Sequence, residues 1–321
     1  MRVIIDCDPG NGVPGANVDD AVALVYALNN PNLHVEAIWT VFGNTSAREG
    51  ARAARKLLAD LDVHDIRVRE GWDAPISGAR SAHRARLDAP SQDPDVYRLW
   101  GIAEPPRRES TQAEAEPLSD LVADLTAGGE DIVLICLGPL TNPARLLDAA
   151  PEAMSRVSHI YLMGGHLAEK GTVDTNFAVD PAAASRVLGS SIPLTIIPLD
   201  VTRTTELTET RWRQIVAATG GGVSEFVLSI RRWLEPWLAY SNSTRPVEGM
   251  WLHDLVAVAA AAEPELVTRE SVALSILESP AGKLRFDPDG TTVDLITTVD
   301  GAALTAAWER SVTMAADHNE A

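Results

Sequence analysis

Short β-branched runs alternate with longer Ala-, Leu- and Arg-rich stretches along the first two thirds of the chain. The runs Val3–Ile5, Val35–Val41, Ile132–Leu137, Ile160–Met163 and Leu194–Leu199 predict strands, because nearly continuous aliphatic residues suit strands buried on both faces. Between them, helical patterns cover Asp20–Leu28, Ala47–Leu61, Pro117–Thr126, Pro143–Ala149 and Pro181–Leu188. Asn142-Pro143 and Asp180-Pro181 each read as an N-cap followed by proline at the first helical position. The alternation predicts the α/β class, an open, mostly parallel Rossmann-like sheet flanked by helices. From Thr208 to Ala262 the pattern is helical with a break at Tyr240–Gly249; Ser271–Leu277 and Val293–Val299 then predict strands, and Ala302–Val312 a closing helix. No break in composition divides the 321 residues, which read as a single domain. The stretch Ser77–Pro117, rich in Arg, Pro and acids without a period, reads as a surface excursion with short helices, and long loops of that kind are often functional.

Charge narrows the function classes. Lys and Arg number 27 against 45 Asp and Glu, a net charge of −18, which repels nucleic acid polymers and anionic membrane surfaces. No apolar run approaches the roughly 20 residues a bilayer requires, and the chain enters a short strand directly after Arg2, which predicts an unexported protein with no membrane partner. Two cysteines, Cys7 and Cys136, are too few for a disulfide framework or a thiolate zinc site, and point to the reducing cytoplasm.

Candidate chemistry starts where the first strand stops. Val3-Ile4-Ile5 runs into Asp6-Cys7-Asp8-Pro9-Gly10, and strand alternation places Asp6 and Asp8 on one face, with Cys7 packed on the other. Val18-Asp19-Asp20 then opens a helix with two carboxylates beside the positive end of its dipole. Ligands of open α/β sheets bind outside the carboxyl ends of the strands, so four acids are expected where chemistry is usually found. Such a cluster calls for a cation, and oxygen donors without Cys or His favour Ca²⁺ or Mg²⁺ over zinc. The competing reading takes Asp19 and Asp20 as ordinary helix-start charges and Asp6 and Asp8 as a solvated turn.

With these residues in place, the chain resembles the inosine-uridine preferring nucleoside hydrolase family. Its signature of Asp-x-Asp-Pro-Gly followed by Asp-Asp-Ala occurs here as Asp6, Asp8, Pro9, Gly10, Asp19, Asp20 and Ala21. Val41-Phe42-Gly43-Asn44, Leu137-Gly138-Pro139-Leu140-Thr141-Asn142, Met163-Gly164-Gly165, Asn176 with Asp180-Pro181, Leu199-Asp200-Val201-Thr202 and His253-Asp254 follow in the family's order. The resemblance implies the nucleoside hydrolase fold and Ca²⁺-dependent cleavage of a ribonucleoside into ribose and a free base. It implies an ion held by Asp8, Asp20, Asp254 and the carbonyl of Leu137, with Asp6 nearby and Asp8 as general base. Asp19 and Asn44 would fix ribose hydroxyls and Asn176 and Asp174 the 3′ and 5′ side, with Met163 also in the substrate site. His253, an imidazole titrating near neutrality, would protonate the leaving base; Tyr240 stands close to where the family has a base-contacting Tyr and His83 where it often has a flap histidine, while Trp251, near His253, could serve the base or the core. A homodimer or homotetramer is implied as well.

The chain departs from the family at three places. Eight residues, Asn11 to Val18, stand between Gly10 and Asp19 where the shortest family pattern has one. Asp174 stands where the family commonly has Glu, and His83 is followed by Arg84 where a His-Gly pair is usual. Trp233, Trp237 and Tyr240, at helical spacing, also read as one core-facing stripe. The glycines of the long loop suggest a phosphate cradle, but the Lys-Ser/Thr that should follow is absent and Asp19-Asp20 would repel phosphate. Two other functions compete: a non-catalytic nucleoside- or ribose-binding protein on the same scaffold, and, less well supported, a haloacid dehalogenase-like phosphatase using Asp6 and Asp8.

Overall fold

The computed structural model describes residues 1–77, 94–101, 117–129, 131–168, 173–219, 224–277 and 282–318. In chain order the strands are β1 (Arg2–Cys7), β2 (His34–Thr40), β3 (Arg67–Glu70), β4 (Ile132–Cys136), β5 (Val157–Met163), β6 (Leu194–Ile197), β7 (Glu206–Leu207), β8 (Met250–Trp251), β9 (Val267–Leu277), β10 (Lys283–Phe286) and β11 (Thr291–Val299). The helices that position the site are α1 (Asp19–Asn29), α2 (Ala47–Asp60), α3 (Thr141–Ala149), α4 (Thr175–Val179), α5 (Pro181–Leu188), α6 (Leu199–Thr202), α7 (Glu225–Thr244) and α8 (His253–Ala262).

Nine strands form one sheet in the order β10-β9-β11-β6-β5-β4-β1-β2-β3. From β3 to β6 every neighbouring pair is parallel, and β11 extends that set alongside β6, while β9 and β10 add an antiparallel edge. The order reverses between β1 and β4, the place where an open α/β sheet parts its crossovers and leaves a crevice. The first strand shows why the sheet is sandwiched: Val3 and Ile5 pack into the cluster on one face and Ile4 into the cluster on the other, all fully buried. On the first face α1 and α8 lie against each other, their Ala residues letting the backbones approach, with Trp212, Trp237 and Trp308 filling the space beyond. Cys7 is buried in that core, its Sγ 3.5 Å from the carbonyl of Trp39, as the alternation predicts.

Several boundaries differ from the sequence reading. Asn142 does not cap a helix: α3 begins at Thr141 with Leu140 before it and no side-chain cap, and the Asn142 amide turns inward to Asp6 at 2.7 Å. Asp180 does cap α5, accepting from the Ala183 amide at 3.2 Å. The helix that was to break at Tyr240 continues to Thr244 with Pro236 inside it. β3 and β10 were not foreseen, nor was the short α4. Among the described residues no helix is long and apolar enough to cross a membrane.

Candidate active site

Four carboxylates converge outside the carboxyl end of β1. The Asp8 backbone N–H donates to Oδ1 of Asp20 at 2.9 Å, so the residue after the strand is clamped to the first turn of α1. The insertion between them does not push them apart. It closes in two tight turns, the Val13 N–H donating to Gly10 at 2.9 Å and the Ala16 N–H to Val13 at 3.1 Å. Asn11 anchors the loop to the carbonyl of Ala53 on α2 at 3.1 Å. A Cβ on Gly10 would overlap the Asn17 carbonyl, so the loop folds back over its own start and delivers Asp19 and Asp20 to Asp8.

The Asp8 carboxylate is held between two glycines. A Cβ on Gly43 would overlap its Oδ2, and one on Gly138 would stand 3.0 Å from its Oδ1. Asn44 fixes its direction, with the backbone N–H donating to Asp8 Oδ2 at 2.6 Å and the side-chain amide to Asp20 Oδ2 at 3.2 Å. Asp254, in the first turn of α8, completes the group: oxygens of Asp19, Asp20 and Asp254 lie within 4.8 Å of one another, all three side chains buried. At that separation each pair of full charges repels by about 3.5 kcal/mol at an effective dielectric of about 20.

The acid–base properties follow from that crowding. Burial, with the Asn142 hydrogen bond opposing it, pushes Asp6 up to about 7. Burial and the charge of Asp20 push Asp19 to about 8, and burial pushes Asp20 to about 6 despite bonds from Asp8 and Asn44. Asp8 and Asp254 are raised well above the carboxylate range, by burial first and then by their acidic neighbours. Asp8 meets Asp20, and Asp19 meets Asp254, carboxyl to carboxyl. Two such contacts in one place require shared protons or a cation. Oδ1 of Asp19 and Oδ2 of Asp6 are buried without a hydrogen-bond partner, a further mark of a site built for a positive ligand. Oxygen-only donors suit a hard divalent ion, so the residues fit the group that the sequence pattern calls for.

The remaining predicted residues separate by position. The Leu137 carbonyl at the end of β4 accepts from the Asn176 amide at 2.6 Å, and the same amide reaches the Met163 carbonyl at 3.1 Å, so these three meet beside the acids. Asp174 spends its carboxylate as the N-cap of α4, accepting from the Phe177 N–H at 2.8 Å. That is a structural role which the expectation of a sugar contact did not include. Asp6 is 1% exposed and its Oδ1 accepts from the Asn142 amide at 2.7 Å. His83 lies outside the described residues.

Tyr240 packs against Trp237 and Trp100, with ring centroids 5.5 and 6.1 Å away, and is buried in the main core, so it belongs mainly to the aromatic stripe. Trp251 is partly exposed and its ring lies 5.7 Å from that of His253. His253 Nδ1 meets the Thr202 hydroxyl at 2.7 Å, which ties the start of α8 to α6. Its charge state differs from expectation: burial, then the positive charges of Arg245 and Arg203, holds the imidazole down to about 3, so it is neutral at physiological pH. Those two arginines were not singled out in the sequence. Arg203 follows α6 and stacks 4.6 Å over Trp251, while Arg245 follows α7 and stacks 4.4 Å over Trp237. A single arginine in a loop has no periodicity to betray it; its place just after Leu199-Asp200-Val201-Thr202 is the one hint for Arg203.

Comparison with known proteins agrees with this arrangement. The profile of the inosine-uridine preferring nucleoside hydrolases matches residues 3–306. A pyrimidine-specific ribonucleoside hydrolase of Klebsiella pneumoniae is 31% identical over 280 residues, 84% of this chain and 81% of that protein. Uridine nucleosidase 1 of Arabidopsis thaliana is 27% identical over 271 residues, covering 83% and 75% of the two chains. Among solved structures, a purine-preferring ribonucleoside hydrolase from Gardnerella vaginalis superposes with a TM-score of 0.77 at 24% identity, over 99% of this chain and 100% of that one, which shows the shared fold. With its carboxylates gathered at the sheet's switch point and a profile match across most of its length, the chain belongs to the inosine-uridine preferring nucleoside hydrolase family.

Proposed function

We propose that this protein is a calcium-dependent N-ribosyl hydrolase that splits ribonucleosides into ribose and a free base. The observation that carries the reading is the clamp of Asp8 to Asp20, closed over by Asn44 and joined by Asp19 and Asp254 at the β1–β4 switch point. Asp8, Asp20 and Asp254, with the Leu137 carbonyl, are the residues to hold the ion, and Asp6 backs them from below. A carbonyl oxygen has two lone pairs, so Leu137 can serve an ion while accepting from Asn176. When bound, calcium supplies an acidified water and a grip on the vicinal ribose hydroxyls.

The chain's own residues do the rest. Asp8, fixed by the Asn44 N–H, accepts the proton of the attacking water. Asn44 and Asp19 orient the sugar, and the surrounding carboxylates favour the positive charge that develops at C1′. Asn176 and Met163 hold the other side of the sugar, Asp174 supporting them through the cap of α4. Both cysteines are free and buried, in keeping with a reducing cytoplasmic setting. The named relatives act on pyrimidine and on purine ribonucleosides, so the base is left to the residues around His253 and Trp251.

The test is release of reducing sugar from inosine, adenosine, guanosine, uridine, cytidine and their 2′-deoxy forms, with and without chelator. Chelator-sensitive release confined to ribosides supports the reading. Calcium binding without release from any riboside would leave a nucleoside-binding protein in its place.

A further inference from the structure

The site is polarised across a single peptide bond. Oxygens of Asp254, Asp19 and Asp20 lie within 4.8 Å of one another, whereas the ring of the preceding residue, His253, sits 5.7 Å from that of Trp251, over which Arg203 stacks at 4.6 Å. Neither arginine arrives there by accident of a flexible side chain. Arg203 leaves the end of α6 and lies over Trp251, whose own place is set by the pairing of β8 with β7 at Glu206. Arg245 follows the last turn of α7 in an extended conformation, its N–H still donating to Ser241 at 2.9 Å, with Pro246 after it. Arg245 stacks over Trp237, and its charge acts on both Asp19 and His253. Arg203, Arg245, Trp251 and His253 are each partly exposed, while the acids beneath them are buried. In a chain with a net charge of −18, two arginines on the rim of an acid cluster are a local reversal of sign.

Cleavage of an N-riboside separates charge in the same sense. The C1′–N bond breaks with both electrons passing to the base, while the water oxygen bonds to C1′ and its proton passes to Asp8. Positive charge grows on the sugar over the carboxylates, and negative charge grows on the base. Fixed charges placed where charge develops stabilise the transition state without reorganising. We propose that Arg203 and Arg245 form the leaving-group half of the site and select ribonucleosides whose base departs as an anion, taking its proton from solvent afterwards. This rests on the hydrolase reading above. It makes the pair specificity-determining: an acidic, lactam-bearing base such as uracil or xanthine is favoured, and a base that must be protonated to leave, such as adenine or cytosine, meets two positive charges.

The experiment compares kcat/KM for the matched pairs uridine and cytidine, and xanthosine and adenosine, in the calcium-loaded wild type and in Arg245→Met, Arg203→Met and Arg245→Lys. 4-Nitrophenyl β-D-ribofuranoside, whose leaving group needs little assistance, reports on the ribose half and on folding. The wild type is expected to favour the acidic member of each pair. Each methionine variant should narrow that preference by about tenfold or more, mainly through kcat, since loss of one charge-stabilising donor typically has an effect of that order or larger. The lysine variant, which keeps the charge, should hold the preference, and all variants should bind calcium within about threefold of wild type. Equal losses on every substrate, or an unchanged preference, would overturn the role of the arginines while leaving the hydrolase standing. No release from the nitrophenyl riboside or any nucleoside by the wild type would overturn the hydrolase reading and this inference with it.

Discussion

The backbone amide of Asp8 donates to Oδ1 of Asp20 at 2.9 Å, so the end of the first strand and the start of the first helix are one unit even though the chain between them is extended by a loop. Loop closure grows costlier only slowly with length, which is why extra residues there leave the acids in register. Asp20 therefore accepts the Asp8 N–H through one oxygen and the Asn44 amide through the other, and contributes negative charge.

Asp20→Asn keeps an oxygen for the Asp8 amide and removes the charge. Calcium affinity, followed by isothermal titration calorimetry, should fall by about tenfold or more while the melting temperature of the chelated protein holds or rises, since a raised carboxyl has been relieved of its repulsion. Undiminished affinity would remove Asp20 from the ion's ligands.

Gly43→Ala places a methyl group where Oδ2 of Asp8 now lies. The carboxylate must rotate away and lose the Asn44 N–H bond of 2.6 Å. Steady-state kinetics should show kcat lowered by about a hundredfold, the scale expected when a reacting group is misplaced by about 1 Å. A variant with wild-type kcat would mean that Asp8 acts from a different position.

Asn142 offers a sharper test of what the local sequence hides. As a helix cap it would tolerate serine, which caps as well as asparagine. In the structure it donates to Asp6 at 2.7 Å and accepts from the Trp72 N–H at 2.9 Å, inside the protein. Asn142→Ser should therefore destabilise the fold as much as Asn142→Ala, by about 1–3 kcal/mol for buried groups left unpaired, measured by urea unfolding. Serine as stable as wild type would restore the capping role.

The contrast between Asn142 and Asp180 shows how far the chain can be read in advance. Both precede proline, and the pattern is the same, yet Asp180 caps while Asn142 sits within the first turn of α3 because Asp6 draws its amide inward. That long-range partner is 136 residues away and leaves no local trace. The buried strands and the Asp6 to Asp20 cluster were legible, since aliphatic runs and paired acids at a strand end are local signals. β3, with the sequence Arg-Val-Arg-Glu, and β10, Lys-Leu-Arg-Phe, were not, because strands at sheet edges carry charges that blur the apolar pattern. The arginines beside His253 escaped for a related reason: their meaning lies in which rings they stack on, and that is settled only when α6, α7 and β8 come together.

Protonation of the acid cluster ties stability to pH. Asp20, Asp6 and Asp19, raised from 3.8 to about 6, 7 and 8, hold protons in the cation-free fold that the unfolded chain has already released. The native state thus binds more protons than the unfolded state between about pH 4 and 8, and stability falls as pH rises through that window. In the proposed function calcium would replace those protons, so its stabilising effect should grow with pH. The increase in melting temperature on adding calcium to chelated protein is expected to be larger at pH 8 than at pH 5. An increment independent of pH would contradict the assignment of these carboxyls to the cation site.

In the proposed function the carboxylates at the end of β1 hold calcium and Asp8 activates water against a riboside. The direct measurement is ribose release from uridine and from inosine by chelated protein, by the same protein after calcium is restored, and by calcium-loaded Asp8→Asn. No release is expected after chelation, with recovery on calcium for at least one of the two nucleosides and a loss of at least about a hundredfold in the variant. Release that persists in the presence of chelator, or an Asp8→Asn protein that turns over as fast as the wild type, would contradict the proposed function.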